Sequence, residues 1–340
     1  MTHPVPQDTA AEGRNRQIDQ LKGLGAAFVV LIHAPPLVHS SVASLAWIGW
    51  SIQMLCLVAV PFFFMASGYH LAKRWSSEAT PKAPVRQSLR LGMLYIPWFA
   101  LYAVGDALYG RPWEPIAVLR RFLSFSDGDI PTGAFHLWFL PSLIYAQWCL
   151  WASFRFAKGP MPALLSGLAL YASLGVLQAA GIALPWGLRS HEGLGLAMLG
   201  MASGALLPKI PLERWPTRTA LLGALALLPL EGWLWRAFAG ENIPAIMVAR
   251  YLLPAALLVA ALKGEFKVPA PFARLLDALG AESTGIYVLH LGFLVFLPWT
   301  TLVPNGFLRD NLVAWSTALA LSWACSRMLR SSSTTRWLVR

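Results

Sequence analysis

The chain has 340 residues, of which 56% are hydrophobic and 13% are charged, and its mean hydropathy is +0.54. A soluble globular protein carries about 25% charged residues because its surface faces water, so this composition excludes an ordinary soluble domain. The net charge of +11 does not indicate nucleic-acid binding, because Lys and Arg lie in short loops between apolar stretches. The three cysteines lie within apolar segments and have no metal-site or disulfide spacing.

Apolar stretches divide the chain into candidate membrane spans, each near the roughly 20 residues that a helix needs to cross the hydrocarbon core. The sequence predicts an all-α, polytopic transmembrane bundle of about ten helices, at residues 19–38, 51–72, 88–109, 136–154, 161–182, 192–207, 217–238, 243–262, 281–299 and 308–329. The polar N-terminus does not have the pattern of a signal peptide, so we expect insertion to begin with the first span. We expect a cytoplasmic N-terminal segment (1–18), one membrane domain (19–330) and a cytoplasmic tail (331–340).

The distribution of basic residues indicates the orientation of these spans. With the N-terminus inside, twenty Lys and Arg residues fall on the cytoplasmic side and six on the outer side, while Arg250 lies within a span. Cytoplasmic loops carry an excess of Lys and Arg, so both termini are predicted to be cytoplasmic. Ten spans are favoured because one more or one fewer would scramble the bias. The two halves show no clear similarity, which weakens a transporter interpretation, although inverted repeats often escape detection in sequence.

The ionisable residues of the first span share one helix face. At about 100° per residue, Lys22 lies about 20° and Asp19 about 40° from His33 around the helix, and Lys22 and His33 are separated by a rise of roughly 16 Å. Ionisable groups in spans usually face a cavity or pathway. The stripe fits a long donor with an anionic head, such as acyl-CoA, with His33 as general base. The plainer alternative is an interfacial Asp19–Lys22 pair and a packing histidine.

Four segments, in order, resemble the membrane acyltransferase 3 family. They are RQIDQLKGLGAAFVVLIHA (16–34), VPFFFMASGYHL (60–71), FHLWFLPSLIYA (135–146) and GAESTGIYVLHLGFL (280–294), which together cover essentially the whole chain. The resemblance implies that His33 acts in catalysis and that Lys22, the basic residue eleven positions earlier, handles acyl-CoA. Many members have Arg where this chain has Lys22, and Lys keeps the charge but loses bidentate phosphate recognition.

Two further segments supply candidates with open alternatives. Ser67 and His70 are three residues apart and therefore neighbours on one helix face; Ser67 is a candidate catalytic nucleophile, but small-residue helix packing explains it equally well. Tyr69 is either a substrate-binding residue or an interfacial aromatic. His136 follows the longest outer loop (110–135), and with Trp138 it forms either an acceptor site or an interfacial belt. The family resemblance favours a functional His136.

The later spans hold four more substrate-binding candidates. Arg250 lies about seven residues into its span, too deep for easy snorkelling, and it needs either Glu231 as a partner or contact with the donor. Glu282 and His290 lie on the ninth span, near its cytoplasmic end and near its middle, and Tyr287 is three residues before His290. The seven histidines include no pair with the helical spacing of a metal site, so we expect no metal.

Together, these features predict an O-acyltransferase of the bacterial cytoplasmic (inner) membrane. Acyl-CoA, with acetyl-CoA as the expected donor, would enter from the cytoplasm, and a hydroxyl of a glycan or glycoconjugate would be the acceptor. We expect no permanently bound cofactor and no nucleic-acid partner; the oligomeric state stays open. The alternative is a transporter or flippase of a lipid-linked or acylated sugar, which would use the same polar residues as a solute path.

Overall fold

The computed structural model describes residues 15–38, 42–75, 80–110, 134–182, 190, 192–239, 246–297 and 307–340. That part of the chain is helical and contains no β-strand. Its α-helices are α1 (Arg16–His33), α2 (Ala43–Cys56), α3 (Ala59–Trp75), α4 (Lys82–Leu108), α5 (Phe139–Ala157), α6 (Met161–Ala179), α7 (Gly193–Leu206), α8 (Thr217–Ala239), α9 (Ala249–Leu262), α10 (Ala270–Ala281), α11 (Ser283–Phe296) and α12 (Phe307–Ser331).

Each predicted span overlaps a helix, with two differences. The second span is longer than predicted, because α2 and α3 run together as a 33-residue element from Ala43 to Trp75. Helix α10 lies where a loop was predicted, and it meets α11 at an 81° bend. Helix α10 has only 12 residues, which is too short to appear as a span in the hydropathy pattern.

Several helices are long and apolar enough to cross a membrane. By length and composition, five described elements qualify, or six if the bent pair α10–α11 is one span: Ala43–Trp75, Lys82–Leu108, Met161–Ala179, Thr217–Ala237 and Leu312–Ser331. The apolar windows of the last three are only 22%, 17% and 22% buried within the protein, so most of their apolar surface faces outward. Outward-facing apolar helices of this length are typical of an integral, multi-pass membrane protein.

The centre of the bundle is held by glycines at helix crossings. Eleven of the 14 residues of α7 are buried, and α7 packs against α3. A Cβ at Gly68 would overlap the carbonyl oxygen of Met201, and a Cβ at Gly204 would overlap that of Met65. Small residues allow such close backbone approach between membrane helices. The short predicted sixth span is therefore a central helix.

The start of α1 is fixed by a second set of close contacts. The side chain of Asn15 accepts hydrogen bonds from the main-chain N–H groups of Gln17 (2.9 Å) and Ile18 (3.1 Å), which caps the helix. A Cβ at Gly23 would overlap the main chain of α10, and a Cβ at Gly280 would overlap that of α1. These contacts set the position of the face of α1 that carries the predicted stripe.

Candidate functional site

A cavity of about 760 Å³ opens between α1, α3, α4, α5 and α11. This volume lies within the range of roughly 300–1,000 Å³ that is usual for small-molecule sites. Four predicted residues line it: Asp19, Lys22, Ser67 and Tyr287. The cavity is therefore built around the stripe on α1 and the matching face of α3.

One end of the cavity is strongly cationic. Lys22, Arg74, Arg90 and Arg340 all line it, and each comes from a different element. Asp19 contributes an acidic side chain to the lining, and its Oδ1 lies 3.1 Å from Nζ of Lys22. The predicted Asp19–Lys22 pair is thus present, and it lies on the cavity wall. Four basic side chains against one acidic side chain make this end suited to an anionic group.

The sequence left open whether Ser67 faces a site or only allows close helix packing, and the part of the cavity wall formed by α3 distinguishes the two. Ser67 and His70 both line the cavity, while Gly68 between them faces α7. Small-residue packing therefore explains Gly68, and Ser67 faces the open space.

At its other end the cavity becomes apolar and approaches a group of histidines. Its lining reaches Val29, one turn before His33 on α1, and Tyr287 on α11. The His33 and His290 rings are stacked, with their centroids 5.3 Å apart. The His136 ring meets the His290 ring edge-on at 4.9 Å. Three of the predicted residues from three distant segments therefore form one cluster, which we call the histidine cluster (His33, His136 and His290).

The orientation of His290 within this cluster is fixed by main-chain acceptors. Its Nδ1 lies 2.7 Å from the carbonyl oxygen of Tyr287 and 3.1 Å from that of Ile286. Carbonyl oxygens only accept, so Nδ1 must carry the proton. The neutral ring then presents the lone pair of Nε2, which is buried and has no hydrogen-bond partner among the described residues. His290 is fully buried, so this nitrogen is available as an acceptor inside the protein.

Two tyrosines pack against the histidine cluster. The Tyr287 hydroxyl donates to the main-chain carbonyl of His136, and the His136 and Tyr287 rings lie 5.4 Å apart. Tyr287 contacts His290 through its main-chain carbonyl rather than its hydroxyl. The Tyr102 ring meets the His136 ring edge-on at 5.1 Å, and its hydroxyl donates to the carbonyl of Val288 at 2.8 Å.

Tyr69 and Trp138 are not among the residues that line the cavity. Tyr69 packs with apolar residues on the other side of α3, and Nζ of Lys73 lies 5.5 Å from its ring centroid. The Trp138 ring packs against Phe64 at 6.4 Å within the core around α7. Their sequence neighbours His70 and His136 lie at the cavity and in the histidine cluster. Adjacent residues of a helix lie on different faces, so Tyr69 and Trp138 pack toward the core.

Arg250 and Glu282 are also held outside the cavity lining. The Arg250 side chain is buried, and its Nε donates to the carbonyl of Leu57 at 3.2 Å. Glu231, its predicted partner, instead accepts hydrogen bonds from the main-chain N–H groups of Val248 (3.0 Å) and Ala249 (2.8 Å) at the start of α9. That helix end offers unsatisfied N–H groups, which attract a carboxylate.

Glu282 connects two helices rather than facing the cavity. Its carboxylate accepts from Oγ of Ser326 at 2.7 Å and lies 3.1 Å from Nη1 of Arg330, both on α12. Its neighbours Ala281 and Ser283 line the cavity, so the side chain points away from the space its own segment borders. Within the described part of the chain, no group of three His, Cys, Asp or Glu side chains is arranged to hold a metal ion.

Sequence reasoning missed Arg74, Arg90, Arg340 and Tyr102. The three arginines were counted as signals of orientation, and only their convergence on one cavity distinguishes them from solvated loop residues. Tyr102 lies in the middle of α4 without a motif around it. Most of the predicted outer loop 110–135 lies outside the described residues.

The fold and the cavity define an integral, multi-pass membrane protein with a polar cavity inside its helical bundle. A family model described as an acyltransferase domain matches residues 15–328, nearly the whole chain. The chain belongs to this family, the membrane acyltransferase 3 family that its four motifs resemble. Membership supports a membrane acyltransferase activity, and the matched region contains the histidine cluster and most of the cavity.

One curated relative is a serine/alanine racemase from Enterococcus gallinarum, which is 28% identical over 145 residues. The match covers 38% of this chain and 18% of the relative. The chain thus spans less than a fifth of that protein's length, and racemase chemistry is not transferred to it. No solved structure matches the chain.

Proposed function

We propose that the protein is an O-acyltransferase that moves an acyl group, acetyl in the first instance, from cytoplasmic acyl-CoA to a hydroxyl of a glycan or glycoconjugate. The observation that carries this proposal is the cavity itself. Its lining begins at a cationic end and reaches Tyr287, which contacts the histidine cluster. A donor with an anionic head and a reactive tip matches these two ends.

The dimensions of α1 support this assignment of the donor. Lys22 and His33 are eleven residues apart on a continuous helix, which corresponds to a rise of roughly 16 Å. A compact anion could not contact both ends. In the proposal Lys22, held by Asp19, meets the phosphates of CoA, while the extended pantetheine arm follows the apolar wall toward the cluster.

The proposed reaction uses His33 as general base. His33 takes the proton of the acceptor hydroxyl while the hydroxyl oxygen attacks the thioester carbonyl. The tetrahedral intermediate collapses with cleavage of the carbon–sulfur bond, and the CoA sulfur leaves with the proton returned by the imidazolium. Nε2 of His290 offers a fixed acceptor beside His33, and His136 lies against the same ring, so we assign both to orienting the acceptor hydroxyl and the base.

Ser67 defines the covalent variant of this reaction. Its hydroxyl on the cavity wall would take the acyl group first, with loss of CoA, and pass it to the acceptor in a second step. Acetyl-CoA added without acceptor would then leave an acetyl ester on Ser67, which peptide mass spectrometry detects. An unmodified Ser67 under these conditions favours direct transfer.

The test of the base is His33→Ala in the purified protein. Release of CoA from acetyl-CoA, followed with a thiol reagent, should fall by roughly 100-fold or more. Ile32→Ala is the matched control, because Ile32 lies on the same turn but packs toward the apolar cluster of α2, α8 and α9. Undiminished turnover in a folded His33→Ala protein refutes the assignment.

The orientation belongs to the same proposal. We propose ten spans in the inner membrane of a bacterium, with both termini in the cytoplasm; the distribution of Lys and Arg supports this orientation. A fluorescent protein that matures only in the cytoplasm, fused to either end, should be bright in cells. If the fusions at both ends are dark, the protein has the opposite orientation, and the cationic end of the cavity is on the side of the membrane that lacks CoA.

The alternative function, a transporter, predicts a different response to acetyl-CoA. A flippase of an acylated or lipid-linked sugar does not consume acetyl-CoA, and its thermal unfolding midpoint is not raised by that compound. Measuring the midpoint with and without acetyl-CoA therefore separates the two functions, since a ligand that binds the native state stabilises it.

A further inference from the structure

The face of α3 that lines the cavity changes from polar to apolar along its length. Arg74 lies at the cationic end, Ser67 follows one face further on, and Phe63 lies beyond Ser67. These residues are seven and four positions apart, so they share one face of the helix. Phe63 and Arg74 are eleven residues apart, which corresponds to a rise of roughly 16 Å. The lining of α1 changes in the same way, from Lys22 to Val29.

The other helices at the Phe63 end of the cavity are apolar as well. Leu94 of α4 and Leu140 of α5 line the cavity, and both pack in one apolar cluster with Phe139 and Tyr287. The Tyr287 hydroxyl is engaged, because it donates to the main-chain carbonyl of His136. Apolar walls gain free energy when they take hydrocarbon out of water. This end of the cavity is therefore suited to an alkyl group.

The Phe63 ring is held at this end by contacts on two sides. On one side, a Cβ at Gly25 of α1 would lie 3.1 Å from both Cε2 and Cζ of Phe63, so the ring rests directly against that helix. On the other side, the Phe139 ring meets the Phe63 ring edge-on, with centroids 6.3 Å apart. The Phe139 ring in turn lies 5.4 Å from the Tyr287 ring. These three rings, from α3, α5 and α11, form what we call the aromatic row (Phe63, Phe139 and Tyr287).

We propose that the apolar end of the cavity is the acyl pocket of the donor site and that Phe63 is its floor, which restricts the donor to short acyl chains. This inference rests on the proposed function, which supplies acyl-CoA as the donor. With the phosphates at the cationic end, the extended arm of CoA carries the acyl group to the aromatic row. Its terminal carbon then faces Phe63, and its carbonyl faces Tyr287, which contacts the histidine cluster. Each further methylene has to displace a ring that is packed on both sides, and close-packed interiors resist such overpacking.

The test compares acetyl-CoA with butyryl-CoA as donors for the full-length purified protein, by release of CoA. The wild type should prefer acetyl-CoA in kcat/KM by roughly ten-fold or more, because its pocket has no room for two further methylenes. Phe63→Ala removes the ring and should raise the ratio of kcat/KM for butyryl-CoA to that for acetyl-CoA by roughly ten-fold or more. Phe63→Leu is the milder variant, and it should shift the ratio in the same direction by less.

Phe62→Ala is the matched control. Phe62 is the preceding residue and is 3% exposed, but it packs in the apolar cluster of α1, α3 and α9 and does not line the cavity. The donor ratio should stay within about two-fold of wild type in this variant. A loss of folded protein lowers turnover of both donors equally and leaves their ratio unchanged. Phe156→Ala on α5 repeats the control at a side chain that is 78% exposed, where the core is not disturbed.

The thermal unfolding midpoint measures donor binding separately from turnover, since a ligand that binds the native state stabilises it. At equal concentration, butyryl-CoA should raise the midpoint less than acetyl-CoA does in wild type, and more than acetyl-CoA does in Phe63→Ala. An unchanged donor ratio in Phe63→Ala, an equal shift in Phe62→Ala, or a wild type that uses butyryl-CoA as well as acetyl-CoA overturns the inference and leaves the proposed function standing. A wild type that neither binds nor consumes either donor defeats the proposed function, and the inference with it.

Discussion

Replacing Gly68 with alanine tests the packing that holds Ser67 in the cavity wall. A Cβ at position 68 would overlap the main-chain carbonyl of Met201 in the buried helix α7. A main-chain oxygen in a helix cannot rotate away, so the two helices must separate. Overpacking costs about 1–3 kcal/mol, against the roughly 1 kcal/mol gained when Ala replaces Gly in a helix. Because the main chain of Met201 cannot move aside, we take the upper end of the overpacking cost and expect the free energy of unfolding to fall by roughly 2 kcal/mol. Turnover should also fall, because Ser67 moves with the helix.

Gly92→Ala is the matched control for this prediction. Gly92 is also within a helix, α4, and a Cβ there would meet no atom within 4 Å. It should raise stability by up to about 1 kcal/mol through propensity alone. The measurement is the thermal unfolding midpoint of each purified variant in the same detergent, with acetyl-CoA turnover alongside. Equal midpoints for the two variants would refute the packing argument.

Three further substitutions test other contacts. Glu282→Gln should lower the free energy of unfolding by about 1–3 kcal/mol and leave KM for acetyl-CoA unchanged. A change in KM without a change in stability would show that Glu282 binds the donor, as the sequence predicted. Tyr102→Phe should cost about 1–3 kcal/mol because the carbonyl of Val288 and the N–H of Gly292 lose their shared partner, and an unaltered midpoint contradicts this. Asn15→Ala should cost about 1 kcal/mol through loss of the cap of α1, visible as faster hydrogen exchange in its first turn.

The helices themselves were largely predictable because long apolar runs bounded by Pro and Gly leave few alternatives in a bilayer. Helix α10 was missed for a physical reason. It is short and amphipathic, and it is held against α1 by the Gly23–Gly280 contact, which has no signature in the hydropathy pattern. The number of membrane crossings rests on the charge bias and stays a prediction.

The site was predictable where one helix carries the whole pattern. Asp19, Lys22 and His33 lie on a single helix, so their common face follows from periodicity alone. The meeting of His33 with His136 and His290 depends on how three distant segments pack, and spacing within each segment says nothing about that. Arg340 was the least predictable, since its position is set by contacts of its main chain with α4 rather than by any pattern around it.

Burial alone does not distinguish ionisable side chains that stabilise the fold from those that belong to the site. Their hydrogen bonds do distinguish them. Glu282 and His290 are 7% and 0% exposed, yet the Glu282 carboxylate is occupied by Ser326 and Arg330. His290 has one nitrogen held by carbonyls and the other without a partner among the described residues. A buried polar atom left unpaired costs about 1–3 kcal/mol, and such a cost inside a membrane points to a bound group that relieves it. By the same reasoning, we expect the acceptor hydroxyl of the proposed reaction to contact Nε2 of His290. The Glu282 carboxylate is not expected to contact it, because Ser326 and Arg330 already bind that carboxylate.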